Sequence, residues 1–217
     1  MSVIDTIVEA VAPRENERTH QEARTKAKAV ADSGDWLSLI LEHHELIEAA
    51  FAAVKSAGAA PTRTAAQKVL AVLLTGHANA EESVIYPALT RVAGKGYATE
   101  AYSEQATAKT EMAALETLAP MSPEYLQKLE HIRDAVAHHV YQEESTWFLA
   151  LKANASAPEQ ITLARRYKEE FDRYVGGDAE SASTEVANPE SSSENAEGIT
   201  TQHRVPEPSE RRELPLA

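Results

Sequence analysis

There is no cysteine among the 217 residues. Disulfides, thiolate–zinc sites, iron–sulfur clusters and thiol nucleophiles are therefore excluded. Any metal site must be built from histidine and carboxylate. A basic surplus is missing too: 21 Lys and Arg stand against 34 Asp and Glu, for a formal net charge of -13. That balance opposes non-specific binding to nucleic acid or anionic membrane, since both need a basic surface. No apolar run approaches the ~18 residues of a membrane-spanning helix. The opening MSVIDTIVEAVAPREN lacks the basic and apolar regions of a secretory signal. The expectation is a cytoplasmic protein with no nucleic-acid or membrane partner. Period-2 alternation with β-branched residues is also lacking, which argues against a sheet.

Ala, Leu, Glu and Lys dominate up to the Gly176-Gly177 pair, and turn signals recur at helical intervals. Asp35 precedes Trp36 as a candidate N-cap. Residues 58–61 break the next segment, and Thr64 with Gln67 resembles a capping box. Gly94 and Gly96 end a third element. Ser122-Pro123 is a helix start, and Gly176 a helix stop. The pattern predicts four principal helices over residues 36–57, 64–90, 98–119 and 123–153. A preliminary helix (14–32) precedes them and a trailing one (158–175) comes after. Short loops between them give an all-α, up-down-up-down four-helix bundle. The expected organisation is an N-terminal extension (1–34), the bundle (35–155), a C-terminal helix packed on it (156–177) and a tail (178–217). The tail is Ser-, Glu- and Pro-rich, with nine acids against three Arg. It has too few large apolar residues to offset its ordering entropy and is expected to be disordered.

The apolar seams of the four helices are each interrupted near the middle by something polar. The first seam runs Leu37, Ile40, His44, Ile47, Phe51, Val54. The second carries His77 and Glu81, the third Gln105, the fourth His139 and Glu143. An ionised carboxylate in an apolar core costs several kcal/mol unless it is paired or bound to metal. His77/Glu81 and His139/Glu143 are both HxxxE pairs, and positions i and i+4 share one helix face. One such pair on an exposed helix is usually a modest ion pair worth ~0.2–0.5 kcal/mol. Two of them on core seams, as an internal repeat (HANAEES and HHVYQEES), with a third seam histidine, point to a cation. Imidazole with carboxylate suits iron, manganese or zinc.

These segments resemble the hemerythrin-like HHE cation-binding family, through ILEHHELIEAAF, HANAEESVIYPAL, YSEQATAKTEMAALETL and HHVYQEESTWFLAL. The resemblance covers about residues 36–152. It implies a four-helix bundle with a non-haem iron site, usually of two ions, that meets O2 or related small oxidants. Carried over by position, the implied ligands are His44, His77, Glu81, His139 and Glu143. Related sequences commonly have a histidine on the third helix. This chain has Gln105, with Glu104 beside it, as an additional ligand or a supporting group. Glu82, Glu144, His43 and His138 fall beside the seams and are expected to be outer or surface residues. Tyr86 is a candidate hydrogen-bond donor behind the ligands. The relatively high carboxylate content favours sensing, storage or detoxification of O2, NO or peroxide over reversible O2 carriage. A di-iron enzyme acting on an organic substrate and a metal-free helical interaction module are the alternatives. Enzyme status, metal identity and oligomeric state stay open at this point.

Overall fold

The computed structural model describes residues 16–176. The expectations for the first fifteen residues and for the tail lie outside them. Every described element is helical. α1 (Glu17–Val30) opens on Asn16, whose side chain accepts from the Thr19 N–H. α2 (Trp36–Ser56) opens on Asp35, which accepts from the Ser38 N–H at 2.7 Å. α3 is Ala60–Ala80 and α4 is Tyr86–Ala93, separated by a π turn at Glu81–Ile85. α5 is Lys95–Glu116. α6 (Pro123–Gln142) opens on Ser122, as the sequence predicts. A second π turn, Glu143–Trp147, leads into α7 (Phe148–Asn154). α8 (Ala157–Val175) stops at Gly176, whose φ of 54° suits glycine.

The order of these elements gives the predicted all-α bundle. α2 packs on α3, the α3–α4 arm on α5, α5 on α6, and α6 returns to α2. α1 and α8 flank this ring. α8 lies against α2, α3 and the first π turn, while α1 lies against the second π turn. Among the described residues no helix is long and apolar enough to cross a membrane.

Four local expectations change. α3 begins at Ala60, four residues before the predicted Thr64 start. Pro61 fits a first helical turn because it has no N–H to lose there and its φ is already helical. Gln67, expected in a capping box, instead accepts a hydrogen bond from Tyr125 at 2.9 Å. Arg63 is buried and closes the preceding turn, donating to the carbonyls of Val54, Ala57 and Pro120. Of Gly94 and Gly96, only Gly94 breaks the chain (φ 92°), and α5 starts at the next residue. Finally, both long helices expected over 64–90 and 123–153 contain a π turn that begins at the glutamate of the HxxxE pair.

At Gly76 of α3, α8 packs close against the helix. A Cβ there would sit 2.6 Å from Val175 Cγ2. Gly76→Ala is expected to destabilise the fold by about 1–3 kcal/mol, the usual cost of overpacking, despite alanine's better helix propensity. The double variant with Val175→Ala should recover most of that in urea unfolding. Equal losses in single and double variants would show that the contact is not what selects glycine.

Candidate metal centre

The HxxxE spacing places His77 above Glu81, and His139 above Glu143. The π turns then shift the phase of the residues beyond each glutamate. In a regular α-helix Tyr86 would lie ~140° around from Glu81, five steps of ~100°. In the wider turn the Tyr86 N–H bonds back to the Glu81 carbonyl, and its hydroxyl returns to within 3.2 Å of Glu81 Oε2. The second turn is built alike, with the Phe148 N–H on the Glu143 carbonyl. Aligned through the repeat, Tyr86 matches Phe148. One half of the centre therefore has a hydroxyl where the other has a bare ring.

His44, His77, Glu81 and Glu143 are all buried, and each offers one donor atom within 4.8 Å of the others. His139 stands outside this group, on the far side of Glu143. Glu143 spans the two sides: Oε2 lies 3.3 Å from His44 Nε2 and Oε1 lies 3.3 Å from His139 Nε2. The outer nitrogen of each histidine is held. His44 Nδ1 pairs with Glu144 at 2.8 Å, and Arg24 of α1 clamps that carboxylate. His139 Nδ1 pairs with Glu104 at 2.7 Å. His77 Nδ1 lies 3.1 Å from the Tyr167 hydroxyl of α8. With the outer nitrogens so engaged, all three rings turn Nε2 inward, the arrangement that orients metal-ligating histidines.

The interior then has more lone pairs than hydrogens. Tyr86 has one hydroxyl hydrogen for two carboxylate oxygens, Glu143 Oε1 at 2.9 Å and Glu81 Oε2 at 3.2 Å, and its oxygen also lies 3.1 Å from His139 Nε2. Gln105 adds its amide, donating to Glu81 Oε2 and to the Tyr86 oxygen, both at 2.6 Å. That leaves His44 Nε2, Glu81 Oε1, Glu143 Oε2 and Gln105 Oε1 buried with no hydrogen-bond partner. Buried polar atoms without a partner are costly. A cation at their focus satisfies them, and imidazole with carboxylate fits iron, manganese or zinc.

Residues 36–151 match the hemerythrin HHE cation binding domain. The chain belongs to this family. Its fold and its buried His/Glu cluster make it a metal-binding hemerythrin-like protein. It is also similar to a curated protein of Nostoc sp. (strain PCC 7120 / SAG 25.82 / UTEX 2576) named a DNA nickase, 35% identical over 112 residues. That alignment covers 50% of this chain and 32% of the relative, so the chain spans about a third of that protein's length. No solved structure gives a significant match.

The other candidate positions of this hemerythrin-like centre lie around the cluster. Glu104 is turned to the outer nitrogen of His139, not to the donor cluster. Gln105 reaches the interior. Glu82 pairs with Lys109 at the surface, at 2.7 Å. Glu144, expected beside the seam, is buried behind His44. His43 is half-buried, with Nδ1 2.8 Å from the Tyr167 hydroxyl and its ring stacked on Phe171 at 3.6 Å. Arg24 and Tyr167 are the functional neighbours that sequence reasoning misses. Tyr167 does lie on a recurring apolar stripe with Leu163 and Phe171, which marks burial but not what its hydroxyl meets.

The titratable groups hold each other in unusual states. Burial alone would lower the His44 pKa, but the carboxylates of Glu143 and Glu144, one beside each ring nitrogen, outweigh it and push it up to about 9. His139 is likewise held well above the ordinary range: burial opposes this, and the Glu143 charge and the Glu104 hydrogen bond prevail. His77 is pushed well down by burial and by the His44 charge. Burial and the Glu143 charge raise Glu81. Burial would raise Glu143 as well, yet the charge and hydrogen bond of His139 bring it below its usual value.

Protons and a cation compete for these lone pairs. Zinc or manganese affinity is therefore expected to rise with pH up to about 9, where His44 loses its proton. Binding at neutral pH should release protons, read by calorimetry in buffers of different ionisation enthalpy. In metal-free protein the sign reverses: the stability that His44 contributes is complete below its ordinary value of 6.5 and fades as pH rises through about 9. A pH-independent affinity would contradict this picture.

Proposed function

We propose that this hemerythrin-like chain is a non-haem iron protein that binds, senses or detoxifies O2, NO or peroxide. The observation that carries the reading is the unmatched inward set, in which His44 Nε2, Glu81 Oε1 and Glu143 Oε2 are buried without a partner. In this reading His44, His77, Glu81 and Glu143 hold one ion. The second carboxylate oxygen of Glu143, turned to His139, supports a second ion on that side. Iron held by these residues would supply Lewis-acid and redox chemistry toward a diatomic or peroxide ligand. The chain's own residues supply the setting. Tyr86 offers the one hydroxyl hydrogen directed at the carboxylates, and Gln105 fixes the Tyr86 oxygen and Glu81. Trp147, Phe148, Ile47 and Phe51 are buried and exclude bulk water from the interior.

Action on an organic substrate would need a cavity opening on these donors. Two surface concavities run along α1 and its loop to α2, and none of the four clustered donors lines either. Nicking of DNA is a second reading, drawn from the name of the Nostoc relative. The acidic balance of this chain opposes it.

Metal analysis and absorption spectra of untagged protein reconstituted with iron test the proposal. The expected result is about one to two irons per chain, at the affinity usual for such donors, with near-ultraviolet charge-transfer bands that respond to azide or peroxide. His77→Ala and Glu143→Ala should each lose the metal, and His43→Ala should lose far less. Protein that retains no iron, zinc or manganese would overturn the reading. Relaxation of supercoiled plasmid by the loaded protein, abolished in Glu143→Gln, would replace it with the nickase reading.

A further inference from the structure

His77 is the one candidate ligand whose outer nitrogen is not held from within residues 36–151. Glu144 holds His44 and Glu104 holds His139, both from inside the family match. The partner of His77 is Tyr167, on α8, beyond it. Tyr167 is fully buried, and its hydroxyl also meets His43 Nδ1 at 2.8 Å. Three polar atoms thus lie in line, His77 Nδ1, Tyr167 Oη and His43 Nδ1, with one phenolic hydrogen among them.

The donor count fixes the direction of this line when His77 serves as a ligand. Its Nε2 must then present a lone pair, so Nδ1 must carry the hydrogen and donate it to the Tyr167 oxygen. The phenolic hydrogen is then free only for His43 Nδ1, the shorter of the two contacts, and His43 keeps its own hydrogen on Nε2. In the opposite direction Tyr167 would donate to His77 Nδ1. The hydrogen would then sit on His77 Nε2, facing Glu81 Oε2 at 3.3 Å, where it blocks a cation. Phe171, also on α8, stacks on the His43 ring and holds it at the end of the line.

We propose that Tyr167 is a positioning residue of the metal centre: by accepting from His77 and donating to His43, it selects the ligating tautomer of His77 and makes α8 part of the site. The proposal rests on the metal-binding reading above and adds to it a residue that the family match does not include. By linkage, α8 then docks more firmly in the metal-loaded protein than in the metal-free one.

The test uses the full chain and zinc or iron(II) in competition with a chelator. Tyr167→Phe keeps the ring and removes the hydroxyl, and should weaken binding about 10–100-fold, the usual effect of losing an outer partner of a ligating histidine. His43→Ala leaves the His77 bond and should cost less. Tyr125→Phe is the control, since it removes a buried hydroxyl bonded to Gln67 and should lower the melting temperature without changing affinity. In nitrogen-15 spectra of the zinc-loaded protein, His77 should carry its hydrogen on Nδ1 and His43 on Nε2. In Tyr167→Phe the His43 tautomer should no longer be fixed. If Tyr167→Phe binds like wild type and only melts earlier, as the control does, Tyr167 is packing alone. Should Tyr167→Phe fail to fold, His43 carrying its hydrogen on Nδ1 in the zinc-loaded wild type would overturn the proposal. A wild-type chain that binds no cation overturns the metal centre and this role with it.

Discussion

Two carboxylates, Glu81 and Glu143, are buried completely and close together inside an apolar bundle, and the surrounding structure is organised to keep them there. Each would cost several kcal/mol if left ionised and unpaired. The histidines, Tyr86 and Gln105 relieve part of that cost. They still leave fewer hydrogens than lone pairs, and the deficit lies at the focus of the inward donors. The compensation extends outward in layers. His44 leans on Glu144, Glu144 on Arg24, and Arg24 also on Glu48 at the surface. His139 leans on Glu104, which is partly exposed. Charge placed in the core is thus balanced stepwise toward solvent, where it costs least.

The two halves of the internal repeat are built alike and equipped differently. Both have HxxxE and a π turn, yet one turn ends on Tyr86 and the other on Phe148. The Phe148 ring lies 17° from the His44 plane with centroids 6.4 Å apart and meets Trp36 edge-on, so this position adds only hydrocarbon beside His44. The His139 side has the Tyr86 hydroxyl and the Gln105 amide. Among the described residues, the hydroxyl and amide donors of the centre thus lie on one side of it. That asymmetry arises from one atom, the phenolic oxygen, and from the glutamine on α5.

The fold and the donor cluster are legible in the sequence because their signals are one-dimensional. A polar residue in an apolar helical stripe is visible at fixed spacing, and this is how His44, His77, Glu81 and Glu143 stand out. The features that spacing hides depend on phase or on tertiary contact. Regular-helix arithmetic sets Glu144 beside the seam, but it lies in a π turn, and the local phase turns it behind His44. The same shift brings Tyr86, expected as a donor behind the ligands, directly onto the carboxylates of Glu81 and Glu143. The α3 start is hidden because Pro61 resembles a breaker, although in a first turn it breaks nothing. Tyr167 has no signature in spacing: its stripe says that it is buried, and its partner belongs to another helix.

The π turns also explain why the flanking helices matter. A π turn replaces i→i+4 bonds with a wider, less favourable i→i+5 closure and is rare for that reason. Each glutamate of the donor cluster begins one, so the backbone is weakest where the donors must be placed best. α8 packs against the first π turn and α1 against the second. Each flanking helix then reaches past its π turn to a histidine: α8 directly through Tyr167, α1 through Arg24 and Glu144. The bundle supplies the donors, but the geometry of the first turn and the tautomer of His77 both depend on α8. A truncation limited to the family match would keep the four clustered donors and lose both supports. Such a fragment would therefore be a poor measure of how this chain binds a cation.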